Sequence, residues 1–154
     1  MTQNKKLLVS AIKNGTVIDH IEAGNALKII RLLNLPAHKK IVTVGLNLPS
    51  RAMKHKDIIK VEGKEITEEE MNQIAILAPK ASINIICDFE ITKKFKAKLP
   101  KQIAHVLVCP NPNCITNQER MDSLFHVIQN GTIKLKCHYC EKIFSQEEIK
   151  NYNT

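Results

Sequence analysis

Tryptophan is absent from this 154-residue sequence, and aromatic residues make up only 4% of it. Few rings are therefore available to stack on bases, which argues against a protein that binds single-stranded nucleic acid. No hydrophobic run approaches the roughly 18 residues of a membrane-spanning helix, and the first ten residues lack the apolar stretch and cleavage site of a signal peptide. We therefore expect a cytoplasmic protein that does not enter a membrane.

Five cysteines are present, and four of them form two close pairs. Cys109 and Cys114 enclose four residues, whereas Cys137 and Cys140 enclose two. Because the cytosol keeps thiols reduced, we expect metal ligands rather than disulfides. Each pair is short enough for one turn to aim both sulfurs at one ion, so the pattern predicts one structural zinc ion per chain.

A zinc ion with four thiolate ligands has no open position for water, which argues against hydrolytic catalysis. The metal would supply folding free energy to a segment of about 50 residues, which buries too little apolar surface to be stable alone. His105 and His138 lie near the cysteines, and we interpret them as surface or packing residues. Cys87 lies outside both pairs, and we expect it to be a small buried apolar residue.

Apolar periodicity over the first hundred residues predicts strand, helix, strand, strand, helix, strand. A first helix should follow Gly24 and bury Leu27, Ile29, Ile30 and Leu33. The order is typical of an α+β fold of the ferredoxin-like (split βαβ) type, with two helices on one face of an antiparallel sheet. The predicted strands are 16–21, 41–48 (ended by Pro49), 57–62, 82–86 and 91–99. The second helix is predicted to start at a capping box, 67–70, and to stop at Pro79. Its apolar stripe consists of Met71, Ile74, Ala75 and Ala78.

A boundary is expected at Leu99-Pro100-Lys101, because the proline interrupts both periodicities. We therefore predict two domains, 1–100 and 101–154. The second is expected to be a small all-β domain resembling a zinc ribbon, with strands at 103–108, 125–129 and 132–136. Asn130-Gly131 between the last two strands is a strong hairpin signal.

The net charge of +8 raises the possibility of a nucleic-acid-binding zinc ribbon. The charge is concentrated away from the cysteines, because residues 1–100 carry 17 basic against 10 acidic residues and residues 101–154 carry 6 against 5. The lysine-rich stretch 93–98 alternates as a solvated sheet edge does. We therefore do not expect nucleic acid to be a partner.

An independent enzyme is the other alternative, and the sequence offers little for it. We find no Ser/His/Asp or Cys/His pattern, no Walker A loop and no dinucleotide-binding glycine pattern. The acidic group Glu68–Glu70 is explained as the first turn of a helix. No catalytic residue is predicted.

Four segments together resemble the regulatory chain of aspartate carbamoyltransferase: AIKNGTVIDH at 11–20, GLNLPS at 45–50, KDIIK at 56–60 and VLVCPNPNC at 106–114. The resemblance spans nearly the whole chain. It implies an allosteric domain followed by a zinc domain, and a non-catalytic subunit acting in pyrimidine biosynthesis. It also implies that regulatory-chain homodimers bridge trimers of the catalytic chain, and that nucleotide triphosphates (ATP, CTP and UTP) act as effectors.

The resemblance further implies a nucleotide site in the first domain. Lys60 and Lys94, with His20, would suit phosphates, and Asp19 would accept hydrogen bonds from ribose. Taken alone, these residues would be interpreted as solvated side chains and a local polar pair. Phe89 departs from the family pattern, in which tyrosine is common. The full set is Ile12, Asp19, His20, Lys60, Asn84, Ile86, Phe89, Ile91 and Lys94.

Contacts with other chains are expected from both domains. Asn111 and Asn113 lie within the first cysteine pair, and Tyr139 and Glu141 lie at the second. The resemblance places this domain against the catalytic chain, although simple loop polarity explains these residues equally well. Strand 41–48, which carries few charges, is the candidate for pairing between regulatory chains.

Overall fold

A computed structural model describes residues 9–152. The chain divides into two compact units, and the boundary falls between Lys98 and Leu99. In that described range, no helix is both long enough and apolar enough to cross a membrane. Each unit has its own antiparallel sheet.

The first unit contains a five-stranded sheet in the order β2-β3-β1-β4-β5, with every neighbouring pair antiparallel. The predicted ferredoxin-like α+β arrangement is confirmed, and β5 extends it by one strand. The elements are β1 (Gly15–Glu22), α1 (Ala26–Leu32), a 3-10 turn (Leu35–Ala37), β2 (Val42–Ser50), β3 (Lys54–Glu62), α2 (Glu68–Leu77), β4 (Ser82–Cys87) and β5 (Glu90–Lys96).

The core of this unit lies on one face of the sheet. Ile18, at the centre, pairs with Ile59 on one side and Ile83 on the other, and none of the three has exposed surface. Helix α1 packs on β3 and on α2, and the Asn25 side chain donates to the backbone oxygen of Leu77 (2.8 Å). Branched aliphatic side chains thus form the core that a sequence poor in aromatics requires.

The predicted buried side of α1 is wrong in part. The helix buries Ala26, Ile29 and Leu32, whereas Leu27 is 54% exposed. The helix has only seven residues, and its first amide is held by a buried carboxylate described below. That hydrogen bond fixes the start of the helix, and an apolar pattern over so few residues does not define which side is buried.

Helix α2 begins as predicted. The Thr67 hydroxyl accepts from the Glu70 amide (3.2 Å), and the Glu70 carboxylate accepts from the Thr67 amide (3.3 Å). This is a reciprocal capping box. Ile74, Ala75 and Ala78 are buried, as expected.

Pro49 does not end β2, which continues to Ser50. The strand lies at the edge of the sheet, where a residue without an amide proton is tolerated because no further strand requires a donor.

The second unit has a four-stranded sheet in the order β6-β7-β8-β9. The hairpin across Asn130-Gly131 is confirmed, whereas the predicted strand 103–108 is short: it ends at Ala104, before His105 with its positive φ of 56°. The elements are β6 (Gln102–Ala104), α3 (Ile115–Gln118), β7 (Leu124–Asn130), β8 (Thr132–Cys137), β9 (Ile143–Ser145) and a 3-10 turn (Gln146–Glu148); α3 and β9 were not predicted.

Candidate functional sites

Four cysteine sulfurs converge in the second unit. The Sγ atoms of Cys109, Cys114, Cys137 and Cys140 all lie within 4.8 Å of one another, and the first three residues are buried. Cys109 Sγ lies 3.8 Å from Cys140 Sγ, and Cys114 Sγ lies 3.7 Å from Cys137 Sγ. Each of these two short contacts therefore joins a sulfur of the Cys109–Cys114 segment to a sulfur of the Cys137–Cys140 segment.

These distances fit a zinc ion. With zinc–sulfur bonds of about 2.3 Å, a regular tetrahedron has sulfur–sulfur edges of about 3.8 Å. The two short sulfur–sulfur distances of the cluster, 3.8 Å and 3.7 Å, match that edge. Four thiolates around one divalent ion form a filled structural shell.

Local hydrogen bonds fix the loop that carries the first pair. The Asn117 amide group donates to the backbone oxygens of Cys109 (2.8 Å) and Asn111 (2.7 Å). The Thr116 hydroxyl lies 3.2 Å from Cys114 Sγ and donates to it. Such hydrogen bonds orient the sulfurs before a metal arrives and stabilise them as thiolates. The second pair is held by β8, whose last residue is Cys137.

The metal-free thiols do not have equal acidity. Burial raises the pKa of Cys109 and of Cys137. Burial also disfavours the Cys114 thiolate, but hydrogen bonds from the side chain and backbone of Thr116 outweigh it and bring the Cys114 pKa to about 7. Zinc binding must therefore displace protons from at least the Cys109 and Cys137 thiols at neutral pH.

In the first unit, Lys60, Asn84 and Lys94 lie in one row across the sheet. Lys60 pairs with Val17, Val17 pairs with Asn84, and Asn84 pairs with Lys94. Because cross-strand partners share a face, all three polar side chains project from the side opposite the Ile18 core. We call this side of the sheet the polar face.

Two members of the row are buried although they are polar. Lys60 and Asn84 are each 8% exposed. The Lys60 ammonium donates to the backbone oxygens of Val9 (3.2 Å) and Ser10 (2.8 Å). Burial lowers the pKa of Lys60, and the Asp19 carboxylate partly opposes that shift. Asn84 Oδ1 is buried and accepts no hydrogen bond from any described residue.

Apolar residues lie beside this row, toward the end of the sheet where β1 begins and β4 ends. Ile86 pairs with Ile91 on the polar face, and Ile12 is buried. The Phe89 amide donates to the Lys13 oxygen (2.9 Å), which ties the β4–β5 turn to the segment carrying Ile12. Phe89 itself is 63% exposed, with a positive φ of 66°. The structure thus places the four predicted apolar site residues near the same end.

Asp19 and His20 lie on the opposite side of the row, further along β1, in an irregularity of that strand. Both are opposite Ile58 of β3, and His20 has a left-handed φ of 58°. Asp19 forms an ion pair with Lys56 (2.9 Å) and accepts from the His20 amide (2.7 Å). His20 Nδ1 is buried without a hydrogen-bond partner among the described residues.

A cavity of about 460 Å³ opens beside His20. Ser82, Lys80 and Lys96 also line it. Ser82 pairs with both Asp19 and Lys96, so the cavity continues the polar face by one row. Of the predicted site residues only His20 lines this cavity; Lys60, Asn84 and Lys94 lie outside it.

Sequence reasoning missed Asp57, which has no exposed surface. Its carboxylate accepts from the amides of Gly24 (2.9 Å), Ala26 (3.2 Å) and Asn47 (2.9 Å). Bulges on both neighbouring strands meet here, in β1 at residues 19–20 and in β2 at residues 46–47. Asp57 therefore holds the β1–α1 turn and the edge strand in place near Asp19 and His20. An acidic residue directly before the apolar pair Ile58-Ile59 was the available signal.

The residues predicted to contact other chains are only partly free. Asn113 is exposed, but Asn111 is half-buried, and its side chain accepts from the Asn113 amide (3.1 Å). Tyr139 is 42% exposed, and Glu141 is exposed with a left-handed φ of 61°.

Cys87 is exposed rather than buried, because it is the last residue of β4, where the sheet gives way to a turn. That expectation was wrong.

Comparison with known proteins covers both units. The profile of the aspartate carbamoyltransferase regulatory chain, allosteric domain, matches residues 7–98, and that of the metal binding domain of the same chain matches residues 101–150. A relative from Photobacterium profundum is 49% identical over 99% of this chain and all of its own length. One from Pyrococcus horikoshii is also 49% identical, over 94% of this chain and 96% of its own. Both are named aspartate carbamoyltransferase regulatory chain.

Proposed function

The chain belongs to the family of aspartate carbamoyltransferase regulatory chains, and from that premise we propose how its two units divide the work of regulation. The subunit is regulatory and not catalytic, and it carries a structural zinc. The first domain, predicted as residues 1–100, binds nucleotide triphosphates. The second domain, predicted as residues 101–154, is ordered by zinc on Cys109, Cys114, Cys137 and Cys140 and docks on the catalytic chain.

The polar row is the observation that carries the nucleotide proposal. A buried amide oxygen without a donor costs free energy unless a ligand or water satisfies it, and Asn84 Oδ1 is such an atom. Asn84 lies between two lysines in the row, because Lys94 is its partner on β5 and Lys60 lies on β3, beyond Val17 of β1. An anionic ligand that also carries hydrogen-bond donors fits this arrangement better than a simple anion does.

The residues on the two sides of the row orient the ligand. Ile12, Ile86, Ile91 and Phe89 form the apolar side, which suits a planar base, and the backbone there can satisfy the edge of the base. Asp19 and His20 form the other side, and together with the lysines of the row they suit ribose and phosphates. Nucleotide triphosphates, with ATP, CTP and UTP as the expected effectors, have this order of groups.

The effect on the partner follows from linkage. A nucleotide regulates the catalytic chain only if it binds one state of the assembly more tightly than the other, with a coupling on the order of 1 to 3 kcal/mol. Asn111, Asn113, Tyr139 and Glu141 are the proposed docking residues. The edge strand β2 pairs two regulatory chains, and these homodimers bridge catalytic trimers in the cytoplasm, in pyrimidine biosynthesis.

Reconstitution tests this proposal. The zinc-loaded chain is mixed with the trimer of its catalytic chain, and the aspartate saturation curve is recorded with ATP, CTP or UTP. Lys60→Ala should weaken the nucleotide response while assembly and zinc content are kept, whereas Lys28→Ala, which changes an exposed lysine of α1, should leave the response unchanged. An unaltered response in Lys60→Ala would overturn the site. Salt-dependent retention of the chain on DNA, with no nucleotide response, would favour nucleic-acid binding instead.

A further inference from the structure

A pair of histidines lies on the sheet of the second unit, outside the cysteine cluster. His126 Nε2 and His138 Nδ1 form a hydrogen bond of 3.0 Å, and the ring centroids are 5.2 Å apart with an interplanar angle of 45°. His126 belongs to β7, and His138 directly follows the last residue of β8. His138 is exposed and His126 is half-buried, so a solvated ion can reach both nitrogens.

We propose that His126 and His138 form a second, exchangeable site for a divalent transition-metal ion, of the kind that Ni²⁺ or Cu²⁺ fills. Imidazole nitrogens are ligands that these ions prefer. The site is distinct from the four-thiolate cluster and goes beyond the regulatory function proposed above.

The nitrogen separation selects the geometry. With metal–nitrogen bonds of about 2.0–2.1 Å, two nitrogens 3.0 Å apart subtend about 91–97° at the metal. That is the angle between adjacent ligands of a square-planar or octahedral ion, whereas a tetrahedral zinc ion would require a separation of about 3.4 Å. A metal ion would displace the proton of this hydrogen bond to solvent, and both rings would turn so that their lone pairs converge on the ion. The pair then favours tetragonal ions, with water completing the shell.

The backbone holds the two rings in position. The His138 amide donates to the Leu124 oxygen (2.8 Å), and His126 is paired with Lys136 on β8 and Gln102 on β6. Because Cys137 precedes His138, a filled thiolate cluster stiffens this end of the hairpin. Ordered ligands lose less conformational entropy when a metal binds.

Gln102 supplies the partner that a metal-ligating histidine requires on its other nitrogen. Gln102 Nε2 lies 3.4 Å from His126 Nδ1. A flip of this amide presents its oxygen, so that Nδ1–H donates to Gln102 while Nε2 is free to bind the metal. The ammonium of neighbouring Lys136 repels a dication, so we expect the site to be weaker than the thiolate cluster.

The test is calorimetric titration of NiCl₂ into the full-length, zinc-loaded chain, with released zinc followed by a chromogenic chelator. We expect one site that His126→Gln weakens by about tenfold or more, as removal of a ligand or its supporting hydrogen bond typically does. His55→Gln, which changes an exposed histidine of β3, should keep the wild-type affinity. His126 is not adjacent to a cysteine of the cluster, so zinc content should be unchanged in both variants.

Two results would overturn the proposal. The first is equal nickel affinity in the wild type and in His126→Gln. The second is nickel uptake matched by zinc release, which would place the ion at the cysteines. Paramagnetic broadening of the His126 and His138 ring protons by Ni²⁺, with other histidine signals sharp, is the independent spectroscopic result we expect.

Discussion

Replacing Asp57 by Asn should destabilise the first unit although the side chain keeps its size. The wild-type carboxylate accepts from Asn47 with Oδ1 and from Gly24 and Ala26 with Oδ2, and it is fully buried. An asparagine can present its oxygen to only one of these two sides. Its amide group must then face at least one backbone amide, donor against donor.

The magnitude follows from the hydrogen bonds that the substitution breaks. A hydrogen bond to a charged acceptor contributes about 1.5–3 kcal/mol, and an unsatisfied buried donor costs about 1–3 kcal/mol. We therefore expect the free energy of unfolding to fall by about 2–4 kcal/mol, a large share of the roughly 5–15 kcal/mol that stabilises a typical domain. With a urea dependence of about 1.5 kcal/mol per molar, the midpoint should fall by about 2 M.

The two units can be followed separately in urea. Both tyrosines, Tyr139 and Tyr152, lie in the second unit and tryptophan is absent, so tyrosine fluorescence reports on that unit alone. Far-ultraviolet circular dichroism reports on both. Asp57→Asn should shift the dichroism transition and not the tyrosine transition.

Asp88→Asn is the matched control, because Asp88 is an exposed turn carboxylate whose left-handed φ of 49° asparagine tolerates. Faster hydrogen exchange at the amides of Gly24, Ala26 and Asn47 should accompany the Asp57 change. A wild-type urea midpoint in Asp57→Asn would refute the account of this carboxylate.

Three further predictions concern the cap and the metal. Thr67→Ala removes the hydroxyl that caps α2, so the free energy of unfolding of the first unit should fall by about 1 kcal/mol, measured as a lower urea midpoint. Thr67→Ser should retain most of that stability, and equal losses in both variants would contradict the capping role. Removing zinc with a chelator should abolish the cooperative tyrosine transition while the first unit still unfolds cooperatively, since the thiolate cluster orders only the second unit; a metal-free second unit of unchanged stability would contradict this. Apparent zinc affinity, measured by competition with a chelator, should fall as pH falls and keep rising above pH 8, because burial raises the pKa of Cys109 and Cys137 and each bound proton must leave; a flat profile between pH 6 and pH 9 would contradict it.

Local chemical signals were sufficient where a few adjacent residues determine the structure. The Thr67–Glu70 cap and the Asn130-Gly131 turn act over three or four residues, and both are present as predicted. The cysteine spacing also predicted a convergence of sulfurs that the structure shows. For the cap and the turn, the energetic preference resides in the segment itself, whereas the meeting of the two cysteine segments was predicted from metal-ligand chemistry.

Non-local interactions decided the features that the sequence could not reveal. The start of α1 is held by Asp57, which lies 31 residues from Ala26. The bulges at 19–20 and 46–47 depend on how three strands align, and alternation within one strand carries no information about a neighbour's extra residue. Strand alignment alone showed that Lys60, Asn84 and Lys94 form one row, so their assignment as a site rested on family resemblance.

Calorimetric titration of ATP, CTP and UTP into the isolated zinc-loaded chain tests the central claim most directly. Lys60→Ala and Lys94→Ala are compared with Lys28→Ala. We predict saturable binding that each of the first two changes weakens by about tenfold or more, since each removes a charge-assisted hydrogen bond of about 1.5–3 kcal/mol, with Lys28→Ala unchanged. Equal binding by all three variants would contradict a nucleotide site on the polar face.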